Sequence, residues 1–377
     1  MNEKTNISRN FNLDILRITA FVFVPLTHFF LYTDFYTSPV NSVEMCVSLC
    51  LRNLGLLCIT IFMLLTGYLQ GNKNIPPTLK YYSKILKFIV PHVLVILFDL
   101  FLKHFYKGTE LSAGIIARNL FSFPGYSWYV EMYIGLFLLI PFLNMIWSSL
   151  KTKKQEHILL SVLIILSVLP SIVNVYDFVN PNWWNATASD YLNLLPTYWN
   201  KLYSIAFYFT GAYLSKHKDE ILERIKPFTA FLLFVGSFAL FSLFCITRNW
   251  EATPSIYTWL NRNSFGQMVV AVFLILFIVS IRFSKVPSPI RKIAGRISDI
   301  TYTAYLVSYT VDTLMYGKFN SIFPTFSERL PYLPLAVLTV VVCSLILAFF
   351  LDLISRLIIK LADKVIFALS AKITKKQ

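Results

Sequence analysis

Between Leu335 and Ile354 the chain reads LAVLTVVVCSLILAFFLDLI, a run carrying a single charge. A helix of that length rises about 30 Å, the thickness of a bilayer's hydrocarbon core. A second run, FLLFVGSFALFSLF at 231–244, carries no charge. Peptide groups in hydrocarbon must bond within one helix or around a closed barrel. A barrel strand alternates apolar and polar residues, and these runs do not. The expected fold class is therefore all-α, a polytopic membrane protein. Composition agrees: only 14% of the 377 residues are charged and 56% are hydrophobic, whereas soluble domains carry about a quarter charged residues.

Ten apolar stretches read as transmembrane helices, at about 12–33, 43–70, 85–103, 127–147, 157–175, 199–215, 228–247, 265–282, 298–317 and 332–358. The first contains Arg17, Pro25 and His28 and lacks a small-residue cleavage site, so it is expected to be a permanent helix. The net charge of +15 suggests nucleic acid, but the basic residues recur between the spans instead of forming one patch. Lys and Arg gather in cytoplasmic loops, where they set orientation and meet anionic lipid. Lys151, Lys153, Lys154, Arg291, Lys292 and Arg296 illustrate the pattern. Both termini are thus expected in the cytoplasm, with no nucleic-acid partner. Residues 1–360 are expected to form one membrane-embedded domain and 361–377 a basic amphipathic tail on the inner leaflet. The five cysteines show no zinc spacing, and a Cys46–Cys50 disulfide does not suit an ordinary helix.

Arg17 and His28 stand out because ionisable groups inside a span mark functional paths. Eleven helical steps advance roughly 16 Å and return to nearly the same azimuth. Asp14 lies one turn before Arg17 and is placed to pair with it. A snorkelling arginine and a satisfied histidine are the plainer alternative.

Other candidates are polar groups near helix ends. Gly67 in MLLTGYLQGNK permits close packing. Lys84 and Lys87 lie one turn apart at the start of the third span, where two cations suit phosphates as well as ordinary topology signals. The fourth span opens GYSWYVEMYIG, with Glu131 beside Trp128, Tyr129 and Tyr133; a carboxylate there suits orienting a histidine or accepting a hydroxyl proton. Tyr302, Tyr305 and Tyr309 recur at helical spacing, a pattern that packing also explains. The loop at 174–198 carries Trp183, Trp184 and the sequon Asn185-Ala186-Thr187, and it suits sugars, headgroups or a plain aromatic belt. Walker, GxSxG, HExxH and dinucleotide motifs are missing.

Taken together, Arg17-x10-His28 in LDILRITAFVFVPLTHF, FMLLTGYL, YSKILKFIVP, SWYVEMYIGLFLLIP and GRISDITYTAYLVS resemble the acyltransferase-3 family of integral-membrane acyltransferases, over nearly the whole chain. The resemblance implies transfer of an acyl group, commonly acetyl, from cytoplasmic acyl-CoA to a hydroxyl of a cell-surface or lipid-linked glycan. It implies a multi-pass protein of the cell (plasma) membrane, with acyl-CoA, a glycan acceptor and the lipid bilayer as partners. No permanently bound cofactor or metal is expected; acetyl-CoA is the donor. Some members append an extracytoplasmic hydrolase-like domain, so this chain is expected to act alone or with a separate extracytoplasmic transferase. Two features depart from the family pattern. Lys84 and Lys87 stand where an RxxR pair is common, which keeps charge but not bidentate geometry. Ser308 stands where a late histidine is common.

On this basis the phosphates of coenzyme A are expected near Lys84, Lys87 and Arg17, and the thioester near His28. His28 is then a general base or a transient acyl carrier, the base needing fewer steps. Glu131 assists as orienter, while Trp128, Tyr129, Tyr302 and Tyr305 meet substrate. A transporter or flippase for lipid-linked saccharides is the main rival, but it gives no purpose to the Arg-to-His spacing. A polysaccharide polymerase would want several basic residues in its long outer loop, and a sensor would bind without turnover.

Overall fold

A computed structural model describes residues 9–121, 127–184, 191–254 and 259–374, with side chains described through 364. The sequon Asn185-Ala186-Thr187 and the terminal Lys375 and Lys376 lie outside the described residues. Twelve helices of seven residues or more are described: α1 (Phe11–Tyr32), α2 (Val43–Gln70), α3 (Leu86–Lys107), α4 (Ala113–Phe121), α5 (Trp128–Ser149), α6 (Lys153–Ser167), α7 (Tyr203–Lys216), α8 (Lys218–Arg224), α9 (Pro227–Arg248), α10 (Phe265–Ser280), α11 (Ser288–Ile322) and α12 (Leu333–Thr374). Among the described residues the extended pairing is one isolated bridge, Val40 with Trp250.

Local chemistry starts these helices where it should. Asn10, Ser42, Thr152 and Ser264 each accept a hydrogen bond from a first-turn amide, which satisfies one of the amides a helix start leaves open. Thr152 and Gln155 complete a reciprocal capping box.

Every expected span falls on a helix, but six helical stretches, not ten, are long and apolar enough to cross a membrane among the described residues. These are Phe11–Tyr32, Val43–Gln70, Leu79–Lys107, Trp128–Ser149, Pro227–Arg248 and Phe326–Lys364. The other four expected spans are shorter or more polar for physical reasons. The segment at 157–175 stops at Ser167 and resumes as a single turn, Pro170–Val173. Helix α7 has 14 residues, a rise of about 21 Å. Helix α10 has 16 residues. Helix α11 has 35, but buries a polar series, Thr301, Thr303, Ser308, Thr310 and Asp312. At about 52 Å and 63 Å, α11 and α12 outrun a hydrocarbon core of about 30 Å. Helix α12 continues unbroken past 360, so the tail begins within a helix.

The chain forms two compact units. One comprises Met1–Asn72, Leu150–Asp299 and Thr325–Leu333; the other comprises Lys73–Ser149, Ile300–Pro324 and Pro334–Gln377. In the first, α2 and α7 touch through glycine. A Cβ on Gly67 would lie 1.8 Å from the Tyr208 carbonyl oxygen, and one on Gly211 would lie 2.0 Å from that of Leu64. Neither position tolerates a side chain at this helix separation. Small residues at such seams let backbones approach without a hydrophobic drive from water, and the close packing expected of Gly67 is observed.

Candidate active site

Arg17 sits in the second turn of α1 with its guanidinium held from both sides. Its Nη1 donates to Asp14 Oδ1 at 3.2 Å and to Ser298 Oγ on α11 at 3.2 Å. Arg17 Nε and Nη2 have no protein acceptor among the described residues, so three of its five N–H donors remain for a ligand. Asp14, almost fully buried, also takes a two-pronged bond from Arg9: Nε to Oδ2 at 2.7 Å and Nη2 to Oδ1 at 2.8 Å. Arg9 reaches on to Asp299 Oδ2 at 3.0 Å, to Asp299 Oδ1 at 2.9 Å, and to the Gly295 carbonyl at 2.7 Å. A Cβ on Gly295 would lie 3.1 Å from Arg9 Nε, so its missing side chain makes room for the guanidinium. Hydrogen bonds from Asp14 and then Asp299 hold Arg9 above its ordinary pKa range.

His28 lies on the same helix, eleven residues along, half-buried, with its ring 6.0 Å from that of Tyr32 one turn later. Pro25 stands inside α1 three residues before it, where the missing N–H leaves the Phe21 carbonyl without its usual helical donor. Thr27 donates to the Phe23 carbonyl at 3.0 Å. Gly55 of α2 packs against this stretch so closely that a Cβ there would lie 2.6 Å from Thr27 Oγ1. Close packing of α2 against Thr27 therefore fixes the helix backbone immediately before His28.

The remaining expected site residues belong to the other unit and are placed within it. Lys84 falls in a 3-10 turn, Ser83–Ile85, just before α3, and Lys87 in the first turn of α3. Both are exposed, and Lys84 Nζ lies 5.8 Å from the Tyr81 ring centroid. Tyr129 on α5 meets Tyr305 on α11 edge-on at 5.7 Å and Trp128 at 5.9 Å. Tyr302 donates its hydroxyl to the Phe88 carbonyl at 3.0 Å, with the two rings 5.5 Å apart. Phe88 also packs on Tyr133 at 4.6 Å and Phe137 at 5.9 Å. The tyrosines thus join an aromatic ladder across α3, α5 and α11. Glu131 projects from the first turn of α5 and is exposed.

Several charged groups escaped the sequence reading. Arg52 of α2, 1% exposed, donates from Nε to Tyr36 Oη at 2.8 Å and from Nη1 to the Leu260 carbonyl. Arg248, fully buried, lies 4.2 Å from the Trp259 ring, 5.0 Å from Tyr176 and 5.5 Å from Trp184, and donates to the Val175 and Trp183 carbonyls. These two cations tie connecting loops to α2 and α9. In the other unit, buried Asp99 accepts from Lys103 Nζ at 2.7 Å and Thr310 Oγ1 at 2.9 Å. Spacing alone shows Asp99 and Lys103 one turn apart on a charge-poor helix, whereas the Thr310 partner is invisible without the fold. The five cysteines are free thiols.

A protein-family model described as an acyltransferase domain, that of the acyltransferase-3 family, matches residues 10–348. No curated protein and no solved structure matches the chain.

Proposed function

The chain belongs to the acyltransferase-3 family and is a membrane acyltransferase, and from that premise we propose that it moves an acetyl group from cytoplasmic acetyl-CoA to a hydroxyl of a cell-surface or lipid-linked glycan. The observation that carries this reading is Arg17. It is oriented by Asp14 and Ser298, keeps Nε and Nη2 unspent, and shares one helix with a half-buried histidine eleven residues on. A separation of roughly 16 Å is comparable to the reach of a pantetheine arm, with an anionic donor end at Arg17 and the thioester at His28.

In the proposed step, neutral His28 accepts the proton of the acceptor hydroxyl. The hydroxyl oxygen attacks the thioester carbonyl, a C–O bond forms and the C–S bond breaks. The thiolate of coenzyme A leaves and takes up the proton from the imidazolium, so charge and protons balance. Histidine is the side chain most often used as a general base in such an exchange. Lys84 and Lys87 supply exposed cations for donor phosphates. Trp128, Tyr129, Tyr302 and Tyr305 are proposed to meet substrate, and Glu131 to orient the acceptor. Ten membrane spans, cytoplasmic termini and a plasma-membrane location complete the proposal, supported by the run of basic residues between the apolar stretches.

The test is acetyl-CoA-dependent release of free thiol by the purified protein with candidate glycans. His28→Ala and Arg17→Ala should each abolish release at unchanged membrane abundance, and Lys84→Ala should raise KM for acetyl-CoA more than it lowers kcat. Full activity in a normally expressed His28→Ala protein removes the base assignment.

A further inference from the structure

We propose that Arg9, clasped by Asp299, is a second phosphate-binding residue for the acyl donor, and that a phosphate takes the place of the Asp299 carboxylate. The inference rests on acyl-CoA being the donor. Its support lies in an imbalance within the clasp. Both carboxylates meet Arg9 through both oxygens, but the Asp14 side chain is 2% exposed, whereas those of Arg9 and Asp299 are each 45% exposed. Arg9 Nη2 has two hydrogens but three acceptors: Asp14 Oδ1, Asp299 Oδ1 and the Gly295 carbonyl. One bond is therefore shared, and the solvent-exposed ion pair is the weakly held member. Displacing Asp299 leaves Arg9 anchored by Asp14, which also holds Arg17.

The surroundings favour an anion there. The first turn of α1 is laced onto the end of α10 and the stretch that follows it. Asn12 Nδ2 donates to the Ile278 carbonyl at 2.6 Å and the Ile281 carbonyl at 2.9 Å, and the rings of Phe11 and Phe283 meet at 5.2 Å. From 281 to 298 there is no acidic residue, while Arg282, Lys285, Lys292 and Arg296 are all exposed. Lys292, Arg296 and Asp299 recur at i, i+4 and i+7 along α11, which puts them on one helix face. Asp299 is thus the counterion at the end of a basic strip, and a planar guanidinium beside it offers paired N–H donors to phosphate oxygens. The shared chemistry is phosphate, whether carried by the donor's nucleotide end or by a lipid headgroup.

The experiment measures equilibrium binding of coenzyme A and of phosphate-free pantetheine to the full chain in phosphatidylcholine nanodiscs, beside thiol release from acetyl-CoA. Arg9→Gln should weaken coenzyme A binding about tenfold, the size of one charge-assisted hydrogen bond, and leave pantetheine binding unchanged. Arg9→Lys should recover part of the loss, and Asp299→Asn should tighten coenzyme A binding. Equal losses for both ligands, or no loss, overturn the proposal and leave Arg9 as a structural clasp. A change in Arg9→Gln that shows only as lost association with phosphatidylglycerol vesicles assigns the site to headgroups and overturns the donor assignment. Arg9-dependent binding without thiol release sinks the proposed reaction and upholds this inference; thiol release unaffected by Arg9→Gln does the reverse. Neither binding nor release in the wild-type protein overturns both.

Discussion

Asp14 accepts a hydrogen bond from Arg17 at 3.2 Å across one turn of α1, and the same carboxylate is buried. An arginine alone on an apolar helix has many rotamers; one held by a fixed acceptor has few. Asp14 is therefore a positioning residue for the donor-binding group, and its removal takes away an acceptor shared by two guanidiniums.

Asp14→Asn is expected to raise KM for acetyl-CoA by about tenfold, the loss of one charge-assisted bond, with kcat changed much less. The amide still accepts through oxygen but turns an N–H toward Arg9. Steady-state kinetics on membranes of matched protein content check this. A fall in kcat at unchanged KM would place Asp14 in the chemical step instead.

The α2–α7 seam predicts a contrast between glycines. Gly67→Ala inserts a methyl where the Tyr208 carbonyl lies 1.8 Å away, so the helices must separate, at a cost of about 1–3 kcal/mol or more. Gly135→Ala meets nothing within 4 Å and should stabilise α5 by about 0.5–1 kcal/mol. Thermal melting in detergent should move in opposite directions for the two variants.

At the start of α6, Glu156 accepts from Lys216 Nζ and His217 Nε2, each at 2.6 Å. Burial pushes its carboxyl up, but the hydrogen bonds and charges of Lys216 and His217 outweigh this and leave the pKa below the ordinary 4.5. A carboxylate lowered in the folded state stabilises above its unfolded pKa, and that contribution fades as pH falls through the folded value. The melting-temperature gap between wild type and Glu156→Gln should therefore be full at pH 7 and shrink below about pH 4.5. A gap independent of pH would contradict the ion-pair account.

On α3, buried Asp99 pairs with half-buried Lys103, with Thr310 as third member. Removing Asp99 leaves the half-buried Lys103 ammonium without its partner, at a cost of about 1–3 kcal/mol. Asp99→Ala should thus destabilise more than the double variant Asp99→Ala with Lys103→Met. If the two effects simply add, the pair is not coupled.

The helical class and six of the expected apolar spans were legible in the sequence because charge-poor runs admit few other backbones in lipid. The pairing of Asp14 with Arg17 was legible too, since neighbours three apart on a helix meet whatever surrounds them. Gly67 was readable as a packing glycine for a similar local reason. Tertiary structure alone supplied Ser298 and Asp299, which lie over 280 residues from their arginine partners in the chain. It also buried Arg52 and Arg248 among loop carbonyls and rings, and ended α6 at Ser167 and held α7 to 14 residues. Local periodicity encodes which face of a helix is apolar, but not which distant backbone will offer an acceptor to a buried cation. That choice belongs to the packed chain, where every desolvated donor must find its partner.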